Sequence, residues 1–186
     1  MAQILTQRLL LRPARPDDAG PLHAIFRNPE TMRYWSRPPH RDLAETEQWL
    51  LSMLAIAPHE GEDFIVEHSG TIIGKAGLYR FPEIGFIFAP EFWGQGLARE
   101  ALTPIIARAF AIHRLARIIA DVDPRNAASL ALLGRLGFCE TGFRERSWLI
   151  GGECCDSVDL ALTPDSIPSP KGNDNSPSIN PPWNME

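Results

Sequence analysis

Long apolar runs are missing from this 186-residue chain, and so is any excess of positive charge. Nothing approaches the run of about eighteen apolar residues that a membrane-spanning helix needs. The start, Met1-Ala2-Gln3, lacks the basic and apolar regions of a secretion signal. A cytoplasmic protein without a membrane partner is the expectation. With 18 Lys and Arg against 23 Asp and Glu, the formal charge of −5 argues against nonspecific nucleic-acid binding, which needs a basic face to displace counterions. It suits a cationic amine or peptide as partner.

Cysteine is scarce as well. Cys139, Cys154 and Cys155 cannot all pair, and the last two are neighbours in a strand-like run, where side chains point to opposite faces. Reduced, structural thiols are expected. None has a histidine partner or a helix-start setting that would make it a covalent nucleophile. No ligands stand at zinc-like spacing, so no metal is expected. The remaining composition, 44% apolar and 22% charged, is that of one ordinary globular domain.

Residues 5–14 read as a first strand. Pro16-Asp17-Asp18 opens a helix to residue 27, with proline near the first position and carboxylates in the first turn. Asn28-Pro29 ends it, because the residue before proline avoids the helical region. Residues 42–56 form a second helix with Leu43, Trp49, Leu50, Met53 and Leu54 as its apolar stripe. Strands follow at 63–68, 71–81 and 83–88, the first two joined at Ser69-Gly70. The helix after Gly96 has a buried face (Ala98, Ala101, Leu102, Ile105, Ile106, Ala109, Phe110), but Pro104 inside it predicts a kink or a late start. Residues 115–122 read as a buried strand, 126–136 as a helix stopped by Gly137, and 140–150 with 153–162 as a hairpin about Gly151-Gly152. From residue 163 the chain holds six prolines, four serines and four asparagines. Such a composition cannot bury enough surface to fold. The domain therefore spans 1–163, and 164–186 is expected to be a disordered tail in which Trp183 is incidental.

Two stretches carry the chemistry. Trp93-Gly94-Gln95-Gly96-Leu97-Ala98 is a glycine turn entering a helix, fed by the apolar run Glu83-Ile84-Gly85-Phe86-Ile87-Phe88. Such a turn offers unpaired N–H groups and the positive end of a helix dipole to a phosphate. About thirty residues on come Asn126-x-x-Ser129 and Leu136-Gly137-Phe138. The pair resembles the acetyl-coenzyme A site of the GCN5-related N-acetyltransferase (GNAT) superfamily. The opening, Arg8 to Pro13 with Asp17-Asp18-Ala19, Asn28-Pro29-Glu30 and Met32-Arg33, resembles its ribosomal-protein alanine N-acetyltransferase (RimJ/RimL-like) branch.

That resemblance implies an α/β (α+β) GNAT fold in the order βααβββαβαββ, with a mixed, strongly twisted sheet of about seven strands and helices on both faces. It implies acetyl-CoA as acyl donor, its pyrophosphate on the turn from Trp93 to Ala98 and its pantetheine arm along Phe86, Ile87, Phe88, Asn126 and Ser129. Trp93 stands where the superfamily often has Gln or Arg, and where the branch commonly has an aromatic. A backbone N–H near Phe88 is the implied oxyanion donor. Leu133 replaces a family tyrosine that protonates the departing thiolate, which leaves Ser129 or water. Glu83, at the start of the strand beside the glycine turn, is the implied base, with Glu153 and Asp156 as rivals. His113 reads as a dipole-compensating surface residue. Arg33, Tyr34, Trp35 and Arg37 lie where the branch meets its acceptor, or are core. The implied reaction is direct transfer to a primary amine, a protein N-terminus first and a small amine such as an antibiotic or polyamine next, by a monomer or homodimer. A non-catalytic acyl-CoA-binding module is the alternative from another class.

Overall fold

Alternate residues of the central strands are buried on opposite faces, so one sheet carries two cores. The computed structural model describes residues 3–167. Its eight strands, β1 (Ile4–Leu5), β2 (Leu9–Arg12), β3 (Glu62–His68), β4 (Thr71–Arg80), β5 (Glu83–Phe88), β6 (Ile118–Val122), β7 (Cys139–Ile150) and β8 (Glu153–Leu162), lie in the order β1-β2-β3-β4-β5-β6-β8-β7. Every pairing is antiparallel except β5 with β6.

Phe64, Val66, Ile84 and Phe88 pack on one face against Leu97, Leu102 and Ile105 of helix α4 (Leu97–Ala111), with Leu133 of α5 (Ala127–Arg135) in the same cluster. On the other face Ile65 and Ile87 meet Leu22, Ile25 and Phe26 of α1 (Ala19–Phe26), Met32 of α2 (Pro29–Met32), and Leu50 and Met53 of α3 (Leu43–Leu54). The expected mixed sheet with helices on both faces is present. It has eight strands because the first expected strand is two: the chain reverses between Leu5 and Leu9, and the Thr6 N–H donates to the Leu9 carbonyl at 2.9 Å.

Local expectations met tertiary structure with mixed results. Asp42 and Asn126 cap α3 and α5, accepting from the Glu45 and Ser129 amides at 2.9 and 3.1 Å. Gly151 and Gly152, both at positive φ, turn the last hairpin. Cys155 is buried and Cys154 exposed, as alternation requires. Leu43 and Leu54, however, are exposed, and α3 buries Thr46, Leu50 and Met53 instead. Helix α4 starts on time and continues through Pro104. His113 is no free surface group: its Nε2 lies 3.1 Å from Glu62 and its ring is against Phe81. Of the proposed tail, Pro164–Ser166 forms a 3-10 turn, and 168–186, with Trp183, lie outside the described residues.

One charged pair sits inside. Lys75 on β4 and Asp63 on β3 are each about 2% exposed and bond at 2.9 Å, with the ammonium also over the Trp35 and Tyr79 rings. Burial pushes the Asp63 carboxyl up, and the ammonium opposes that shift. Removing one partner strands a charge, whereas removing both does not. Lys75→Met is expected to cost about 3–5 kcal/mol and Lys75→Met with Asp63→Leu far less. Urea unfolding of the two variants decides this, and equal losses would show that the pair is not electrostatically coupled.

Candidate active site

The site begins where the sheet comes apart. β5 and β6 run parallel but share one register pair, Glu83 with Ile119, reinforced by the Ile119 N–H to the Pro82 carbonyl at 3.1 Å. Beyond that vertex the strands separate. β5 stays paired to β4 through Phe88, and the Ala89 N–H donates to the Ile73 carbonyl at 2.8 Å. Antiparallel hydrogen bonding alternates, so Ile87 and Gly85 also turn their backbone groups to β4. Phe88 and Phe86 turn theirs the other way, into the gap. The Phe88 carbonyl confirms this orientation, since it accepts from the Trp93 indole Nε1 at 2.7 Å.

Because the two strands are parallel, their C-terminal ends lie at one end of the sheet, and each leads to a helix N-terminus. Brought together there are the turn before α4 and the Asn126 cap of α5, flanking the gap in the arrangement in which open α/β sheets bind ligands. Gly94 and Gly96 take φ of 70° and 77°, left-handed backbone that side chains with a Cβ resist. The first intrahelical bond of α4 runs from the Glu100 N–H to the Gly96 carbonyl, which leaves the amides ahead of it for an anion. Crowding within the protein is not what selects glycine: a Cβ at Gly94 meets no protein atom within 4 Å outside its chain neighbours, and one at Gly96 meets only Arg8 Nη2 at 3.7 Å.

The remaining expected residues fall into two groups. Ile87, Phe88 and Leu97 bury their side chains in the cores, so only their backbones are available, and Leu133 is core at 1% exposure. Gln95 and Trp93 are exposed, Trp93 at 46%. Ala98, Ser129 and Asn126 are half-buried, and the Asn126 oxygen is occupied by its capping bond. Glu83 stands at the start of β5, at the closed vertex, about 17 Å along the strand from Phe88.

At the vertex the structure assembles groups that the sequence reading missed. Tyr79 lies over Gly85 and donates its hydroxyl to Glu83 Oε2 at 2.8 Å; Arg80 bonds the same oxygen. Burial, then the bond to Glu83, holds the Tyr79 phenol well above its usual range, so it stays protonated. From β6, Asp121 bears on the same phenol and accepts from Trp148 Nε1 at 2.9 Å and Arg144 Nη2 at 2.6 Å. Bulges in β4 with β5 and in β7 with β8 set this meeting, and neither leaves a local sequence signal. Of the rivals to Glu83, Glu153 is 64% exposed and paired with Arg125, and Asp156 accepts from the Arg146 amide. Among the described residues, no three His, Cys, Asp or Glu side chains form a group that could hold a metal ion, and no helix is long and apolar enough to cross a membrane.

Residues 8–139, most of the chain and all of the β5–turn–α4 unit, match the model of the acetyltransferase (GNAT) domain family. The chain belongs to the GNAT acetyltransferases. An uncharacterized N-acetyltransferase, p20, of Bacillus licheniformis is 30% identical over 152 residues, 76% of this chain and 85% of that protein. The [ribosomal protein uS5]-alanine N-acetyltransferase of Escherichia coli is 34% identical over 112 residues, 60% of this chain and 57% of that protein. A crystal structure of spermidine N-acetyltransferase from Vibrio cholerae, in complex with CoA and spermine, superposes with a TM-score of 0.74 at 25% identity, covering 86% of this chain and 97% of that one. The GNAT chain is an N-acetyltransferase, and its fold is that of its relatives.

If the turn is held left-handed, Gly94→Ala and Gly96→Ala should each lose about 1–2 kcal/mol. Gly96→Asn should lose less, because asparagine tolerates that backbone. Chemical denaturation checks both, and an alanine variant as stable as the parent would mean that the turn relaxes readily to another conformation.

Proposed function

We propose that this GNAT enzyme transfers an acetyl group from acetyl-CoA directly to a primary amine, most readily a protein N-terminal α-amine. One observation carries the reading: a parallel strand pair joined only at its vertex, with its open end flanked by the N-termini of α4 and α5. The pyrophosphate of acetyl-CoA would lie on the amides from Trp93 to Ala98, and its pantetheine arm would run down the gap past Phe88, Ile87 and Phe86, beside Asn126 and Ser129. The arm would bring the thioester into the gap beside the outward amides of Phe86 and Phe88, on the side toward Glu83 at the vertex.

The outward amides of Phe86 and Phe88 are the donors available to the thioester oxygen as it gains negative charge. Attack by the amine nitrogen forms the amide bond and breaks the carbon–sulfur bond. The amine proton passes to Glu83, directly or through water, on Oε1, since Oε2 already accepts from Tyr79 and Arg80. The sulfur leaves as thiolate, which is tolerable for a group with pKa near about 8.5. Ser129 or water returns its proton.

The acceptor side favours a single positive charge over several. Its carboxylates are already matched with arginines: Arg125 takes Asp123 and Glu153, and Arg144 takes Asp121 and Asp159. A polyamine, with charge spread along its length, finds little uncompensated acid there, while an N-terminal peptide brings one amine and amides that can bond. The spermine-bound relative makes a polyamine the second reading.

Acetyl-CoA at about 100 times its Kd should stabilise the fold by about 2.7 kcal/mol. CoA release measured across N-terminal peptides and polyamines is expected to favour peptides; a kcat/KM for spermidine above that of every peptide would reverse the acceptor assignment. Glu83→Gln should lower kcat on the order of 10²-fold while leaving acetyl-CoA affinity intact. Parental turnover in that variant would pass the base role to Asp121 or water.

A further inference from the structure

The β1–β2 connection brings a guanidinium to the rear of the glycine turn. Arg8 donates from its main-chain N–H to Glu100 Oε1 and from Nε to Glu100 Oε2, both at 2.7 Å, and from Nη1 to the Gln95 carbonyl at 3.1 Å. Glu100, in the first turn of α4, also accepts from the Thr6 hydroxyl at 2.7 Å and is 15% exposed. Three donors from the β1–β2 turn thus converge on it, and the planar guanidinium is aimed by one edge at the carboxylate and by the other at the turn.

The Gln95 carbonyl is the informative partner. In a planar trans peptide the carbonyl and the following N–H point in opposite directions. With the Gln95 oxygen held toward Arg8, the Gly96 N–H must face away from Arg8, out of the turn. The alternative is a flip of this one peptide, which changes ψ of Gln95 and φ of Gly96, and glycine at 96 accepts either sign of φ at little cost. After a flip, a carbonyl oxygen would stand where an anion needs a donor.

We propose that Arg8 is a positioning residue of the coenzyme site: braced by Glu100, it clamps the Gln95 carbonyl so that the Gly96 N–H faces the phosphate. The proposal rests on the acetyl-CoA reading above. Arg8 acts behind the turn, through the backbone, so its loss affects only donors that carry the pyrophosphate. This distinguishes it from a residue that merely holds α4 to the sheet.

The test compares steady-state transfer from acetyl-CoA and from S-acetyl-pantetheine, which has the thioester arm and no phosphate. Arg8→Met is expected to raise KM for acetyl-CoA about ten- to a hundredfold, the range of a lost charge-assisted hydrogen bond, with kcat and the KM for S-acetyl-pantetheine unchanged. Arg8→Lys keeps the charge without the fork and should fall between variant and parent; it also serves if Arg8→Met fails to fold. Thr6→Val removes a bond to Glu100 but leaves Arg8 in place, and should keep the parental KM. Equal losses with both donors, a fall in kcat, or an unchanged KM for acetyl-CoA in both Arg8 variants would overturn the proposal. A parent enzyme that uses S-acetyl-pantetheine as readily as acetyl-CoA would instead remove the phosphate site on which it rests.

Discussion

Two strands that begin as neighbours and then part impose the main constraint on this molecule. A gap inside a sheet leaves amides and carbonyls without partners, and buried backbone groups are costly to leave unpaired. β5 manages this asymmetrically. Its β4 side is laddered from Gly85 to Phe88, with a bulge between Glu83 and Gly85, and its gap side is closed at one end by Ile119 and capped at the other by the Trp93 indole on the Phe88 carbonyl. Trp93 therefore has a physical reason to stand at the first position of the turn. It satisfies the last gap-facing carbonyl and ties the glycine turn to the strand that precedes it. Between those two ends lie Phe86 and Phe88, whose amides are the donors that the proposed reaction uses.

Everything at the open end then depends on where α4 begins. Its start is set by left-handed glycines, which have no side chain with which to hold themselves, and Gly96 caps the helix without a side-chain bond. Outside contacts supply the fixation: Leu97 is buried in the core, Gln95 Nε2 bonds the Glu91 carbonyl at 2.8 Å, and the β1–β2 turn grips Glu100. At the far end of the same helix, Arg108 and His113 converge on Glu62 of β3. Burial would raise the Glu62 carboxyl, but those two partners prevail and hold it below its usual range. The helix is thus tied at both ends to strands of the sheet it covers, and its N-terminus cannot drift relative to the gap.

What the sequence disclosed followed from how local each feature is. The turn from Trp93 to Gly96, the Gly151-Gly152 hairpin, the caps at Asp42 and Asn126, and the opposite faces of Cys154 and Cys155 depend on a few adjacent residues. Spacing along the chain reveals such features. The break between β1 and β2 was hidden because Thr6-Gln7-Arg8 has no glycine or proline to mark a reversal, and its stability comes from Glu100, more than ninety residues away. Glu83 opens the strand that leads to the turn, a place legible along the chain, but Tyr79 and Arg80 reach it only through the register of β4 with β5. Tyr79, Asp121, Arg144 and Trp148 come from three strands, β4, β6 and β7, aligned by bulged registers, and no spacing rule links them. His113 follows a helix end, and nothing near it along the chain signals its partners Glu62 and Phe81.

The vertex also explains how the proposed chemistry proceeds without the family's tyrosine on α5. Leu133 at that position is packed into the core, so a hydroxyl there would be buried among apolar groups and would need its own partner. Tyr79 does not inherit the role. Its hydroxyl is already given to Glu83, and its phenol is pushed upward by burial and by that carboxylate, both of which weaken it as an acid. Its effect is instead on Glu83: together with Arg80 it pins one carboxylate oxygen, and the proposed reaction uses the other. Pinning narrows the geometry in which the proton can be taken, and geometry is the first requirement of a general base. The leaving thiolate, bonded until then to the carbon under attack, takes its proton from Ser129 or from solvent admitted through the gap. On this reading Glu83 takes the amine proton from the vertex side, and the solvent that returns a proton to sulfur enters from the open side, because the strands part in one direction only.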